Sequence, residues 1–393
     1  MKLLAAALPV ITELRRGSSR SKTMRKGKMK EEVSSIWKDW VTFIQNETNI
    51  KKFHPYSPEY HNVIRAGRIV SWRPNLDEKL YQQHLEEKKD KLFALPASTI
   101  DFLNLVIDSA DMKEYKKKMK HVPDDDENEI VFDFLEAVFG AYHDIYSCKQ
   151  DIEDGEATFN DLLIVPFLKA VANAIANETN SDAEFKMGEA PLIAMKKQLK
   201  DNDDANLYKA DGIIKLYSLR EPGVLLETPY HFGSKDKTKT SFDHHKGLFG
   251  SLSMLKTIAD EFYLRTIEIF SRMKVLFVHA TDTTVYMWSL RQVEEGPACE
   301  LWLEESLDLD TKFDQVTEQL SKALNFYWKM KYLLQKTVDV VRELEVEHKK
   351  VLKQYRFASF PDDNLSSLVN PNIMKLTEVE DKAGMGEMSP FYT

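Results

Sequence analysis

The chain has 393 residues, of which 43% are hydrophobic and 30% are charged. This length is enough for two domains of ordinary size, each with its own core. No run of 18 uncharged apolar residues occurs, so the sequence predicts no transmembrane helix and no membrane partner. Its two cysteines, Cys148 and Cys299, fit a reducing compartment and exclude a cysteine-based zinc site.

Positive charge is concentrated at the N-terminus. Residues 1–30 hold nine Lys and Arg and one acid, which leaves 45 basic and 62 acidic residues, a net charge of −17, for the rest. The net negative charge of residues 31–393 argues against a general nucleic-acid binder, which usually has a broad basic surface. A local basic patch is still compatible with this charge. We interpret residues 1–30 as a basic disordered leader. A nuclear-localisation patch, a mitochondrial leader and a secretory segment stay open, with a nuclear or cytoplasmic location expected.

Residues 31–160 have the pattern of a helical region. Apolar side chains recur at helical spacing in Glu31–Asn46 and again in Glu129–Cys148, where Phe132, Leu135 and Phe139 fall on one face. We therefore expect this region to consist of packed helices.

Residues 161–310 change from helical to strand-like patterns. The predicted order is helix Asp161–Asn177, helix Glu189–Lys200, strands Tyr208–Leu219 and Val224–Tyr230, a long helix within Phe242–Met273, and strands Lys274–Ala280, Thr284–Leu290 and Cys299–Leu303. Strand pairs separated by a long helix are typical of an α/β sandwich, so we predict an α/β core here.

A long helix is predicted over Phe313–Val351, within residues 311–357. Its apolar residues alternate at three and four, as heptad a and d positions do, so the helix is compatible with a homodimeric coiled coil through residues 313–351. Packing onto its own domain is favoured, because Phe326, Trp328 and Tyr332 fall outside the stripe and also need burial. Residues 358–393 have the pattern of an irregular tail with little core-forming content.

Two acids mark the predicted strand pair. Asp211 begins the first strand and Glu227 lies inside the second, and such carboxylates suit a hard divalent metal. Glu189, at the start of the preceding predicted helix, is a third candidate ligand. A simple hairpin centred on Arg220–Glu221 would place Asp211 and Glu227 three residues out of register, about 10 Å apart along the strand. A bulge or an asymmetric turn is needed to bring them together.

A lysine-rich segment follows Glu227 directly. It contains Lys235, Lys237, Lys239 and Lys246. Because it begins next to the acids, it suits a polyanion that lies over a bound metal, although a solvated loop is an equally good interpretation. These four lysines are the candidate nucleic-acid contacts.

The order of acids and elements resembles the core of the PD-(D/E)XK phosphodiesterase superfamily over about residues 185–305. The segments Gly188-Glu-Ala-Pro-Leu192, Ala210-Asp-Gly212, Leu225-Leu-Glu-Thr228, Lys246-Gly-Leu-Phe249 and Asn370-Pro-Asn-Ile-Met-Lys375 are also similar to an uncharacterised fungal protein family. The resemblance implies that Asp211 and Glu227 are metal ligands, and that Mg²⁺ or Mn²⁺ is the cofactor of an active enzyme. Where the superfamily has a lysine two residues after the glutamate, this chain has Pro229. Lys246 is the first candidate to replace that lysine and Lys235 is the second.

Two functions from different classes therefore remain. One is a PD-(D/E)XK-like domain that acts on nucleic acid as a metal-dependent nuclease, or that has lost catalysis because of Pro229. The other is a non-enzymatic helical scaffold or interaction module that works through Phe313–Val351.

Overall fold

The computed structural model describes residues 35–89, 93–179, 182–199, 208–216, 221–228, 231–357, 364–377, 381–383 and 385–391. The basic leader, with every prediction about targeting, lies outside these residues. From Ser35 onward the chain belongs to one compact unit, which contains both the helical region and the predicted α/β core.

Seven strands form one mixed sheet in the described chain. They are β1 (Val63–Ala66), β2 (Ala183–Pro191), β3 (Lys209–Leu216), β4 (Glu221–Glu227), β5 (Val275–Thr281), β6 (Thr284–Gln292) and β7 (Cys299–Asp308). Their order across the sheet is β1-β7-β6-β5-β4-β3-β2. The predicted strands from β3 to β7 are all present. Strand β1 comes from the region predicted to be helical, and it pairs in parallel with β7.

Thirteen α-helices surround this sheet in the described residues. They are α1 (Ile36–Gln45), α2 (Glu47–Ile50), α3 (Glu78–Glu87), α4 (Ile100–Ile107), α5 (Met112–Lys118), α6 (Glu129–Ser147), α7 (Glu156–Phe159), α8 (Val165–Thr179), α9 (Ile193–Leu199), α10 (Lys237–Glu261), α11 (Ile267–Phe270), α12 (Val316–Gln354) and α13 (Leu365–Leu368). A π-turn, Asn160–Ile164, joins α7 to α8. The predicted mixed α/β class with a long C-terminal helix is confirmed.

The half of the sheet that carries the acids is an antiparallel meander followed by a crossover. Strands β2, β3 and β4 pair antiparallel in chain order. Helix α10 then returns the chain so that β5 pairs with β4 in parallel. Parallel neighbours require such a crossover, and it places α10 directly over β4 and β5.

Two glycines let α10 lie close to the sheet. A Cβ on Gly247 would lie 2.1 Å from Phe277 Cε2, and a Cβ on Gly250 would lie 2.8 Å from Leu225 Cδ2. Residues three apart share one helix face, so both glycines face the sheet. Asp236 begins the helix, since its side chain accepts a hydrogen bond from the Lys239 amide at 2.9 Å.

Two further local predictions are corrected. The helix predicted over Glu189–Lys200 is wrong in its first part, because Ala183–Pro191 is strand β2 and the helix begins at Ile193. Pairing with β3 stabilises this segment as a strand, a tertiary effect that local pattern does not report. The lysine-rich loop is also shorter than predicted, because α10 begins at Lys237.

The long helix α12 is buried within its own chain. Its stripe residues from Val316 to Leu344 are buried, including Leu320, Tyr327 and Leu334. Phe326 and Trp328, which lie off the stripe, are buried as well. Packing onto its own domain therefore accounts for the stripe up to Leu344, while the homodimer stays a prediction.

One helical stretch in the described residues, Glu156–Thr179, is long and apolar enough to cross a membrane by length and composition. In this fold, 67% of its most apolar window is buried. Its apolar character is thus accounted for by the core that it forms with α6, α12 and β2.

The C-terminal tail contributes more to the core than its sequence suggests. Leu365, Val369, Met385 and Met388 are buried, and Arg73 donates a hydrogen bond to the Met388 carbonyl oxygen at 3.0 Å. The sequence predicts little core-forming content for this tail, and these four buried side chains show that the tail contributes to the core.

Candidate acidic and cationic site

The register of β3 and β4 brings the two predicted acids together. Gly212 pairs with Leu226 and Ile214 with Val224, so the same register continued by one residue places Asp211 opposite Glu227. The three-residue offset expected from a simple hairpin is wrong, and the ladder shifts by one residue between Ile214 and Lys215. Opposed residues of an antiparallel pair point to the same face, with Cβ atoms about 4.5–5.5 Å apart.

Glu227 is fully buried and lies between a tyrosine and a lysine. Lys246 Nζ donates to Glu227 Oε2 at 2.7 Å, and the Tyr208 hydroxyl donates to Glu227 Oε1 at 2.7 Å. The same hydroxyl lies 2.8 Å from the Lys246 carbonyl oxygen. Tyr208 therefore ties the end of β4 to α10 and holds Lys246 against the carboxylate.

Asp211 forms hydrogen bonds with Thr228, the residue that follows Glu227. Asp211 Oδ2 accepts from the Thr228 amide at 2.6 Å and lies 3.1 Å from the Thr228 hydroxyl. That hydroxyl also lies 3.4 Å from Glu156 Oε1 and accepts from Asn160 Nδ2 at 2.9 Å. Thr228 thus links Asp211 to Glu156 at the start of α7.

A fourth carboxylate comes from α10. Asp243 is buried, and Lys239 Nζ donates to its Oδ1 at 2.7 Å. Lys239, Asp243 and Lys246 are spaced four and three residues apart, so they lie on one side of the helix. The site therefore gathers four carboxylates and two ammonium groups, an excess of two negative charges when all are ionised.

The surroundings of Glu227, Glu156 and Asp243 disfavour the ionised forms of these three acids. Burial raises the pKa of Glu227 to about 8, against the opposing charge of Lys246. Burial also raises the pKa of Glu156 to about 7, with the charge of Asp211 adding to it. In the same way, burial raises the pKa of Asp243 to about 6, opposed by Lys239. Burial lowers the pKa of Lys246, but Glu227 and Asp211 outweigh it and hold that lysine protonated.

Several observations bear on whether a divalent metal fits. Among the described residues, no group of three or more His, Cys, Asp or Glu side chains is arranged to hold one. However, Asp243 Oδ2 and Asn160 Oδ1 are buried oxygens without a hydrogen-bond partner. Oxygen ligands are what Mg²⁺ and Mn²⁺ prefer, and a cation would balance the excess of carboxylates. The chemistry of the donor set therefore fits a hard divalent cation.

The other predicted site residues lie in different surroundings. Lys239 reaches Asp243, whereas Lys235 and Lys237 are exposed. Pro229 lies outside the described residues.

Glu189 is not the helical acid that the sequence analysis predicted. It lies in β2 at a register shift between Met187 and Ala190, where Ala190 pairs with Ala210. Gly188, with φ of +78°, provides the left-handed backbone of this bulge. The bulge places the Glu189 backbone beside Asp211, while the Glu189 side chain is outside the description.

Sequence reasoning missed Glu156, Asp243 and Tyr208. Glu156 begins the helical segment that precedes β2. The sequence pattern instead predicts the helical acid at Glu189, at the start of a helix over Glu189–Lys200. The spacing of Lys239, Asp243 and Lys246 would have indicated Asp243, once the helix was known to begin at Lys237. Tyr208 carries no signal of its own, because a tyrosine before a strand is ordinary.

Comparison of the chain with protein-family models, with curated proteins and with solved structures gives no match. The function of the protein is therefore inferred from the geometry and chemistry of the site.

Proposed function

We propose that this protein is a divalent-metal-dependent nuclease with a PD-(D/E)XK-like core. In this proposal Asp211 and Glu227 hold Mg²⁺ or Mn²⁺, and Lys246 supplies the cation that Pro229 cannot. The observation that carries the proposal is the pairing of Asp211 opposite Glu227, with Lys246 from the crossover helix bonded to Glu227.

The topology supports this assignment. Two strands that carry the acids, a long helix and two more strands are the order that the resemblance implies, and here they are β3-β4, α10 and β5-β6. Helices α7 and α8 precede the meander and bring Glu156 to the same end of the sheet. The acids lie at the carboxyl end of β4 and next to the start of β3.

Each residue then has a chemical task. The metal, when bound, polarises a phosphate oxygen and lowers the pKa of a water molecule. Asp211 and Glu227 provide carboxylate oxygens to it, with Glu156 and the unpartnered oxygen of Asp243 close by. Lys246 remains protonated beside Glu227 and stabilises the negative charge that develops on the phosphate.

The substrate class follows from charge and access. Asp211, Glu156, Lys239 and Lys246 are partly exposed, so a ligand reaches the acids from that side. Lys235 and Lys237 are exposed and precede Lys239 by four and two residues, and we expect them to contact the phosphates that flank the cleaved bond. Nucleic acid, as DNA or RNA, is the polyanion that we propose.

The proposal predicts cleavage that requires a metal. Purified protein with millimolar Mg²⁺ or Mn²⁺ should cleave single- or double-stranded DNA or RNA, and chelation by EDTA should stop it. Asp211→Asn and Glu227→Gln should each lower the rate by about 10²- to 10³-fold, because each removes a charged ligand. Gel assays with labelled substrates measure this.

Asp133→Asn is the matched control, since Asp133 is exposed on α6. It should cleave at the wild-type rate. If no substrate is cleaved although Mn²⁺ binds at Asp211, the core has kept its metal and lost catalysis. If neither cleavage nor metal binding is found, the nuclease proposal is wrong.

The alternative, a scaffold that works through Phe313–Val351, has less support. The apolar stripe of α12 is used within the chain up to Leu344. Val346 and Leu352 are exposed beyond it, which is a small surface for a dimer. Light scattering that gives a dimer for the wild type and a monomer for Val346→Asp would favour the alternative.

A further inference from the structure

A second concave site lies at the opposite end of the sheet from the acids. Its volume is about 960 Å³, within the range of small-molecule sites. Its walls are the middle of β7, the middle of α12, the segment before β5 and the residues that follow β1 and α3. Lys274, which lines it, is five residues before His279, the partner of Glu227. That separation is about 16 Å along the strand, so the cleft is distinct from the proposed nuclease site.

The cleft is cationic in a chain that is acidic overall. Of the described residues that line it, eight are Lys or Arg and five are Asp or Glu, whereas the whole chain has a net charge of −9. A local excess of this sign favours an anionic ligand.

Some of these cations share one buried acid. Lys88 Nζ lies 2.6 Å from Glu300 Oε2, and Arg291 Nε donates to the same oxygen at 2.6 Å. Burial lowers the pKa of Lys88, and the charges of Arg291 and Lys274 lower it further, although Glu300 opposes them. Two cations thus share one carboxylate, which leaves an excess of one positive charge that an anion in the cleft would balance.

Further features define the size and character of the ligand. Lys89 is exposed at the rim with no ion pair in the described residues, and Arg272 is held by Glu343 at 2.7 Å. Apolar side chains also line the cleft, among them Ile69, which is 61% exposed. The walls thus offer cations for phosphate groups and an apolar surface for a ring.

We propose that this cleft binds a small phosphate-bearing ligand with a flat, apolar ring system, of the size of a nucleoside triphosphate. The phosphates lie among Lys88, Lys89 and Arg272, and the ring lies against the apolar wall. This site does not depend on the proposed nuclease activity.

The test uses the full-length protein and ATP with EDTA present, so that the proposed metal site takes no part. ATP should raise the melting temperature and bind in isothermal titration calorimetry, while adenosine should bind at least about tenfold more weakly. Lys89→Glu combined with Arg272→Glu should weaken ATP binding at least about tenfold. Glu227→Gln should leave it unchanged.

Lys116→Glu combined with Lys117→Glu is the matched control, because these lysines are exposed on α5 and the charge change is equal. It should bind ATP as the wild type does. The proposal is overturned if millimolar ATP does not bind, if both double variants weaken binding equally, or if only a nucleic-acid strand binds the cleft.

Discussion

Lys246→Met is expected to lower the cleavage rate by about 10²- to 10³-fold and to destabilise the folded protein by about 3 kcal/mol. The first effect follows from loss of the cation beside the metal ligands. The second follows because Glu227, which is 0% exposed, loses its 2.7 Å ion pair and remains buried. Cleavage assays and urea unfolding measure the two effects separately.

The pH dependence of this loss has a definite sign. The folded state raises the pKa of Glu227 from 4.5 to about 8, so stability from this group falls as pH rises between those values. Without Lys246 that pKa is higher still, so the loss of stability should be larger at pH 9 than at pH 6. Adding Glu227→Gln should restore stability without activity, and Lys116→Met, at an exposed position on α5, should change neither. A fully active Lys246→Met would show that another cation stabilises the phosphate.

Gly247→Ala is expected to destabilise the protein by about 2 kcal/mol. The added Cβ would lie 2.1 Å from Phe277 Cε2 and 2.3 Å from Phe277 Cζ. Moving the buried ring or the helix costs about 3 kcal/mol, and the helix propensity of alanine recovers about 1 kcal/mol. Because Lys246 precedes this glycine, cleavage should also fall by about 10²-fold through its displacement. Thermal unfolding and cleavage assays measure both changes.

Gly140→Ala is the matched control for this change. Gly140 lies within α6, and an added Cβ there meets no atom within 4 Å. It should stabilise the protein by about 0.5–1 kcal/mol through helix propensity alone. If Gly247→Ala is as stable as Gly140→Ala, α10 does not need its close approach to β5.

Strands β3 to β7, the two acids and Lys246 could be predicted from the sequence, but β1, β2 and the register of β3 with β4 could not. Apolar runs mark β3 and β4, but Glu221, Pro222 and Gly223, which the sequence predicts to be part of the turn, belong to β4. The register of these two strands includes a one-residue shift between Ile214 and Lys215. Side-chain packing across the sheet determines where such a shift occurs, and the local sequence does not report that packing. A register counted outward from Arg220–Glu221 therefore places Asp211 and Glu227 three residues apart, whereas the register of the sheet brings them opposite each other.

The misplacement of Glu189 has a related cause. Ala183–Pro191 contains lysine, glycine and proline, which are poor strand residues, yet it forms the edge strand β2. An edge strand tolerates such residues, and the bulge at Gly188 accommodates the rest. Because the sequence predicts a helix from Glu189, the helical acid is expected at Glu189 and not at Glu156, where the structure has it.

The central claim is that Asp211 and Glu227 share one divalent metal ion. An anomalous difference map from crystals soaked in Mn²⁺ tests it most directly. If they share one ion, the map should show a peak within about 2.5 Å of an oxygen of each carboxylate. Crystals of Asp211→Asn should show no such peak. Crystals saturated with Mn²⁺ that show no peak there, with Lys246 still bonded to Glu227, would contradict it.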